Sequence, residues 1–231
     1  QRMDESLGAI LRLFRGETVD METDWFVLKQ ARLQLAPYSV PHMPVAVASQ
    51  FSPAGPTVAG KYGVGVLSLS TSQPGGMLNA ARTWKWTEEA AAQHGQSVDR
   101  ANWRLLLPFY LADSRREAMD DIRELRDLHY EGYFMGTLGT PPNPEGNSIE
   151  AAAERGEIIV GTPDDAVVAI ERAFELSGGF GGFLGLAHDW APPEKLNRSY
   201  ELMARYVMPR FQGQYAPKQA NRDWVAANRT T

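Results

Sequence analysis

The chain has 231 residues, with 23 Lys and Arg against 28 Asp and Glu, a formal net charge of −5. That balance excludes a polyanion-binding surface as the starting hypothesis, and nucleic acid is not expected as a partner. Hydrophobic residues make up 43% and cysteine is absent, so the chain can build a sizeable core but no disulfide, thiolate metal site or thiol nucleophile, a usage that fits a reducing cytoplasm. No apolar run approaches the roughly 18 residues of a membrane span, and residues 1–5 lack the apolar stretch of a signal peptide.

In chain order, Leu7, Ile10, Leu11 and Phe14 recur at three- and four-residue spacing and predict a helix over residues 3–15, closed by Gly16. Residues 17–44 read as a long, extended and irregular excursion with a strand-like patch at Trp25, Phe26 and Leu28. The apolar run at residues 45–48 has the character of a buried parallel strand. A helix to Gly63 and a second buried strand at residues 64–69 follow. A long helix over residues 78–94 is capped by Gly95, and residues 103–107 give a third strand. Ser114 starts a helix carrying Ile122, Leu125 and Leu128, and residues 137–147 are a Gly- and Pro-rich loop. A short helical piece at 151–156 leads through residues 157–163 into another helix. A fourth strand is predicted at residues 182–187 and a last strong helix at 195–206, before a polar tail, residues 214–231.

Buried strands that alternate with amphipathic helices imply a parallel α/β architecture. The two closed solutions are an open doubly wound sheet and a (β/α)8 barrel. No Gly-x-Gly-x-x-Gly turn follows a strand, which weighs against a dinucleotide-binding open sheet, and four strands are half of a barrel.

Ligands in such folds gather at the carboxyl ends of strands. The loop after residues 45–48 suits an anion there. Ser52-Pro53 matches an N-cap followed by proline, and Gly55-Pro56 offers the same start one turn later. Either start aims free backbone N–H groups and the positive end of the helix dipole at the strand end, with the Ser49 and Ser52 hydroxyls nearby and no acidic residue before Lys61. Thr162-Pro163-Asp164-Asp165 is a similar start, but its own carboxylates satisfy the dipole and would repel a phosphate, so it reads as structural. His42, His94, His129 and His188 show no metal-ligand spacing, and no metal is expected. His188 directly follows a buried strand in Ala187-His188-Asp189-Trp190, which makes His188 and Trp190 candidates for a substrate pocket. Glu88-Glu89 and Asp120-Asp121, adjacent on helices, read as solvated surface.

The segments Asp24-Trp25-Phe26, Pro44-Val45-Ala46-Val47-Ala48, Ser52-Pro53-Ala54-Gly55-Pro56, Pro74-Gly75-Gly76, Val160-Gly161-Thr162-Pro163-Asp164-Asp165 and Ser177-Gly178-Gly179-Phe180-Gly181 together resemble the bacterial luciferase-like flavin-dependent monooxygenases, in particular the limonene-monooxygenase-like branch. The resemblance implies a (β/α)8 TIM barrel with an insertion. Residues 1–213 would supply its carboxyl-terminal half, strands five to eight, as part of a single domain. It also implies reduced FMN, delivered by a separate flavin reductase, which activates O2 for attack on a small apolar organic substrate. The loop that helps hold the flavin phosphate in the family maps onto Ser49, Ser52 and Gly55. Catalytic residues are expected in the amino-terminal half of the barrel and map onto no position here. Two other readings accompany this one: a non-catalytic flavin-binding or barrel-completing subunit, and a deazaflavin-dependent hydride-transfer enzyme. A half-barrel exposes sheet edges, so either an amino-terminal segment or a second copy of the chain, in a homo-oligomer, is expected to cover them.

Overall fold

In a computed structural model that describes residues 1–73, 75–213 and 216–228, the first apolar stripe becomes helix α1 (Arg2–Phe14), which buries Leu7, Ala9 and Leu11. Gly16 follows its end with φ of 80°, the left-handed conformation that closes a helix. The chain forms two units: unit 1 takes residues 1–70, 79–105 and 180–182, and unit 2 takes residues 71–78, 106–179 and 183 onward.

In unit 1 the stretch read as irregular contains an antiparallel hairpin, β1 (Val19–Glu22) with β2 (Val27–Ala31). The Thr23 side chain builds its turn by accepting from the Phe26 N–H at 3.0 Å. The hairpin escaped the sequence reading because only Val19 is buried along β1, which leaves no alternation to detect. Strand β3 (Ala46–Ser49) pairs in parallel with β4 (Gly65–Ser68), from Ala46 opposite Gly65 to Ser49 opposite Ser68. Between them lies α2 (Ala54–Tyr62), ended by Gly63 at φ 65°. Helix α3 (Gly76–Gln93) and strand β5 (Trp103–Leu111) follow, and β4 pairs in parallel with the start of β5, Val66 opposite Trp103. Pro74, part of the expected Pro-Gly-Gly loop, lies outside the described residues. The core of unit 1 centres on Trp84, stacked on Trp103 with centroids 5.1 Å apart. The Trp103 indole N–H donates to the Ser68 hydroxyl at 3.0 Å, so its one polar atom is satisfied inside the core.

In unit 2 the later part of β5 pairs in parallel with β6 (Ile159–Gly161), Phe109 opposite Ile159. β6 is a strand that the sequence reading treated as a lead-in to a helix. Helix α4 (Arg115–His129) starts at Ser114, whose hydroxyl accepts from the Glu117 N–H at 3.2 Å. Short α5 (Ile149–Glu154) and long α6 (Pro163–Ser177) flank β6. Strand β7 (Gly182–Leu186) pairs with β5. The last helices are α7 (Pro193–Leu202), α8 (Met208–Phe211) and α9 (Ala216–Ala227). Residues 216–227 of the expected polar tail are therefore helical. The core of unit 2 gathers Tyr110, Ile122, Ile149, Ile158, Val160 and Trp190. Two polar bonds lock it: the Leu111 N–H donates to the Ser199 hydroxyl at 2.8 Å, and the Tyr110 hydroxyl donates to Asp121 at 2.9 Å. Asp121, expected on the solvated surface, thus turns inward and also pairs with Lys195.

The chain is an α/β protein with parallel strand pairing, and among the described residues its strands close no barrel.

Candidate functional site

Within unit 1, the carboxyl end of β3 runs into the start of α2. Ser49 is buried and its hydroxyl donates to the Gln50 carbonyl at 3.3 Å. Ser52 is exposed and does not cap the helix: the capping position falls on Pro53, and no side chain accepts from the first N–H groups. The expected serine cap is thereby corrected, and the physical consequence is an N-terminus whose donors are left for something else. No acidic residue stands in the first turn. Gly55 is buried, and a Cβ there would sit 2.7 Å from the Ala48 carbonyl oxygen and 3.3 Å from the Ser49 Cα. A hydrogen at that position is what lets the helix start approach the strand end. The start of α6 is different in every respect: Thr162 accepts from the Asp165 N–H at 3.3 Å, and Asp165 accepts from the Thr162 N–H at 2.9 Å. Arg115 adds an ion pair to Asp165 at 2.6 Å. Burial alone would raise the Asp165 pKa, but Arg115 and the two Thr162 donors outweigh it and hold the carboxyl below its ordinary value. That helix end is closed by its own residues.

Within unit 2 a cavity of about 230 Å³ is lined by a cluster of aromatic rings together with Ser72, Gln73, Thr140 and the ionic Arg126 and Glu157. His188 lies flat on Trp190, with centroids 4.1 Å apart and planes 16° off parallel. The His129 ring comes within 5.0 Å of His188 and meets Trp190 edge-on at 5.9 Å. Tyr133 and Phe134 approach His129 at 5.6 and 5.7 Å. His188 and Trp190, singled out from sequence, therefore line one cavity, while His129, Tyr130, Tyr133 and Phe134 were missed. The missed residues sit where α4 passes into a π-helical stretch, Tyr130–Thr137. Their pairing of aromatics one turn apart was a legible signal, but the wider winding over eight residues sets the register.

Burial pushes the His188 pKa below its ordinary 6.5, the His129 ring pushes the same way, and Asp189 opposes both. Its imidazole is thus neutral at neutral pH. The charged groups at the wall are already engaged. Arg126 donates to Asp127 at 2.9 Å and to the Asn147 carbonyl, and its guanidinium lies 5.1 Å from the Tyr130 ring. Buried Glu157 accepts twice from Arg155, at 2.7 and 2.9 Å. Two polar atoms are left over: the Tyr130 hydroxyl and the Trp190 indole nitrogen are buried with no hydrogen-bond partner. Among the described residues no cluster of three or more His, Cys, Asp or Glu can hold a metal ion, and no helix is long and apolar enough to cross a membrane.

The chain is 41% identical to limonene 1,2-monooxygenase of Rhodococcus erythropolis over 220 residues, 94% of this chain and 56% of that protein. It is also 41% identical to 4-hydroxyprotoasukamycin monooxygenase of Streptomyces nodosus subsp. asukaensis over 233 residues, 98% of this chain and 62% of that protein. A more distant relative, the F420-dependent glucose-6-phosphate dehydrogenase of Mycobacterium leprae (strain Br4923), is 27% identical over 221 residues, 91% of this chain and 60% of that protein. The chain thus spans 56–62% of the length of these relatives. Among solved structures, monooxygenase RslO1 of Streptomyces bottropensis superposes with a TM-score of 0.75 at 22% identity, covering 91% of this chain and 61% of that one. The oxygenating constituent of 3,6-diketocamphane monooxygenase of Pseudomonas putida, a type II Baeyer-Villiger monooxygenase in complex with FMN, gives 0.67 at 23% identity, covering 89% and 62%. At those identities the likeness shows the fold. A family model for luciferase-like monooxygenases matches residues 1–179, and with the two 41% relatives it shows that the chain belongs to the luciferase-like monooxygenase family.

Proposed function

We propose that the chain serves a flavin-dependent monooxygenase that uses reduced FMN and O2 to oxygenate a small apolar organic substrate. On this reading its parallel strands are strands five to eight of a luciferase-like (β/α)8 barrel, in residues 1–213. The observation that carries the cofactor assignment is the start of α2, an N-terminus with no side-chain cap and no acid, pressed onto the end of β3 at Gly55. Such a terminus suits a phosphate, because its N–H donors and the helix dipole both favour negative charge. The FMN phosphate would be held by the backbone around Gly55 with the Ser52 hydroxyl at hand, and buried Ser49 would shape the strand end beneath it. When bound, reduced FMN supplies the electrons that activate dioxygen toward the substrate. The aromatic cavity of unit 2, with His188 and Trp190 in its wall, is where we place the substrate. Its wall is mostly apolar, and its neutral His188 offers no charge that would favour an ion over an apolar guest. The partners of this reading are dioxygen, a separate flavin reductase, and either the amino-terminal strands of the barrel or a second copy of the chain.

A deazaflavin-dependent hydride-transfer enzyme is the second reading, favoured by the F420-dependent relative. A non-catalytic flavin-binding or barrel-completing subunit is the third, favoured by the fraction of its relatives that the chain spans. Titration with FMN and with F420, followed by reduced-flavin oxygenation assays, separates all three. We expect saturable FMN binding. A carboxylate at Ser52→Asp sits beside the phosphate and should weaken FMN at least tenfold, while Asp164→Ala, at the closed start of α6, should change it less than twofold. Equal effects of the two substitutions would remove the phosphate assignment.

A further inference from the structure

We propose that His129 and His188 together set the charge class of ring compound that the cavity of unit 2 takes: a neutral guest while both imidazoles are uncharged, an anionic guest once they hold protons. Naming the neutral guest as the substrate, and the switch as regulation of its binding, rests on the monooxygenase reading above. The switch itself rests on the cavity alone.

Both histidines line the cavity and both are half-buried. Their rings come within 5.0 Å of each other and share one indole: His188 lies on the Trp190 face at 4.1 Å and His129 meets its edge at 5.9 Å. Among the described residues neither imidazole makes a hydrogen bond to the protein, and the buried side-chain nitrogens and oxygens without a partner are those of Asn79, Tyr130 and Trp190. The unpartnered ring nitrogens of the histidine pair are therefore open to solvent, where a proton or a guest can meet them.

The other charges around the cavity leave the pair in control. On α4, Arg126 is bound to Asp127 and to the Asn147 carbonyl; ahead of β6, Glu157 is bound to Arg155. Tyr130 and Tyr133 contribute phenol rings. Burial and the His129 ring disfavour a proton on His188 and outweigh the exposed Asp189 carboxylate, which favours it. With both rings neutral, the mostly apolar wall and a volume of about 230 Å³ suit a neutral ring, since an apolar cavity of about 150 Å³ already admits benzene. Protonation places up to two positive charges on one wall, against the Asp189 carboxylate. An apolar guest then has to strip water from imidazolium, which costs far more than stripping it from imidazole. An anion instead gains charge-assisted hydrogen bonds from the same nitrogens. Each guest class binds one protonation state better, so the two affinities move in opposite directions as the pH falls. Acid loosening of the fold would weaken both.

The full chain is titrated calorimetrically with toluene, a neutral ring at every pH, and with benzenesulfonate, an anion throughout the range, at about pH 7.5 and about pH 5.5. On acidification toluene should weaken about threefold and benzenesulfonate should tighten by about the same factor. The double variant His129→Gln, His188→Gln keeps two polar side chains but no titratable ring, and should move either probe by less than about 1.5-fold. His188→Arg puts a permanent charge in the wall and should reproduce the acid preference at about pH 7.5; it decides the question where circular dichroism shows that the parent chain unfolds at the lower pH. Parallel weakening of both probes, no change in either, no binding of either, or a crossover that survives in the double variant overturns the proposal. FMN binding is followed on the same samples. A chain that binds no FMN but keeps the crossover sinks the monooxygenase reading and supports the switch; one that binds FMN without the crossover sinks the switch alone.

Discussion

His188 is the side chain whose protonation most directly couples pH to the candidate substrate cavity. Burial depresses its pKa, His129 adds to the depression, and Asp189 only partly offsets it. The folded chain therefore binds a proton at His188 less readily than the unfolded chain does. Above the unfolded value of about 6.5 both states are neutral there and the group costs nothing. As the pH falls from 6.5 toward the lower folded value, the unfolded state takes up the proton first, and stability declines through that window. Thermal melts at about pH 7.5 and about pH 5.5 should show a smaller loss for His188→Gln than for the parent chain; identical losses would mean that His188 contributes nothing to the acid response. His188 and Trp190 were legible because they follow an apolar strand run, although β7 itself is only half-buried to exposed, and position in an α/β fold ranks residues before any contact is known. Asp121 was not, because adjacency to Asp120 says that the two carboxylates diverge but not which one finds Tyr110 beneath it.

Helix α2 is placed by two close approaches, and one of them can be tested without touching the candidate phosphate site. Gly55 meets the end of β3, while Gly60 meets α3: a Cβ on Gly60 would overlap the Thr87 carbonyl oxygen and come within 2.8 Å of the Ala90 Cβ and 2.9 Å of the Ala91 nitrogen. Alanine is worth about 1 kcal/mol over glycine inside a helix, but overlap with backbone atoms lies in the upper part of the overpacking range, about 2–3 kcal/mol. Gly60→Ala should therefore destabilise by about 1–2 kcal/mol net and lower the melting temperature by about 3–6 °C. It should also weaken FMN, because the helix start moves with the helix. An unchanged or raised melting temperature would show that α2 and α3 have room to separate. At this scale the main strands and helices were readable from apolar runs and helical spacing. What escaped were elements that carry little pattern. β6 has three residues, all buried, and cannot alternate; β1 and β2 bury a single residue between them; and the π-helical winding over Tyr130–Thr137 follows neither period. In α9 a polar composition was compatible with a helix all along, since composition sets exposure more than it sets backbone conformation.

For the molecule as a whole, the decisive feature is an open strand edge. Among the described residues β3 pairs with β4 alone, in parallel from Ala46 to Ser49. The N–H and C=O groups along its other edge therefore have no strand partner, a state that natural sheets cover, charge or shorten. Residues 46–49 carry no charge and no proline, which leaves the shortness of the strand, four residues, as its local device against edge pairing. The α/β class and the family were legible from segment order, but whether strands close into a barrel was not, because closure depends on strand number and register, which apolar runs do not encode. The expected consequence is association: sedimentation velocity over about 1 to 100 µM should show a coefficient that rises with concentration as copies pair. Adding a polypeptide with the amino-terminal strands of a 41% relative should replace that self-association with a one-to-one complex if barrel completion is what the edge awaits. Ala46→Pro tests the edge itself, since Val45 and Ser49 turn their carbonyls to β4, which leaves the Ala46 N–H on the open edge, and proline lacks the N–H that a pairing strand needs. A parent chain that stays monomeric throughout and ignores the added strands would mean that the β3 edge is protected within the chain, and would leave the half-barrel reading without support.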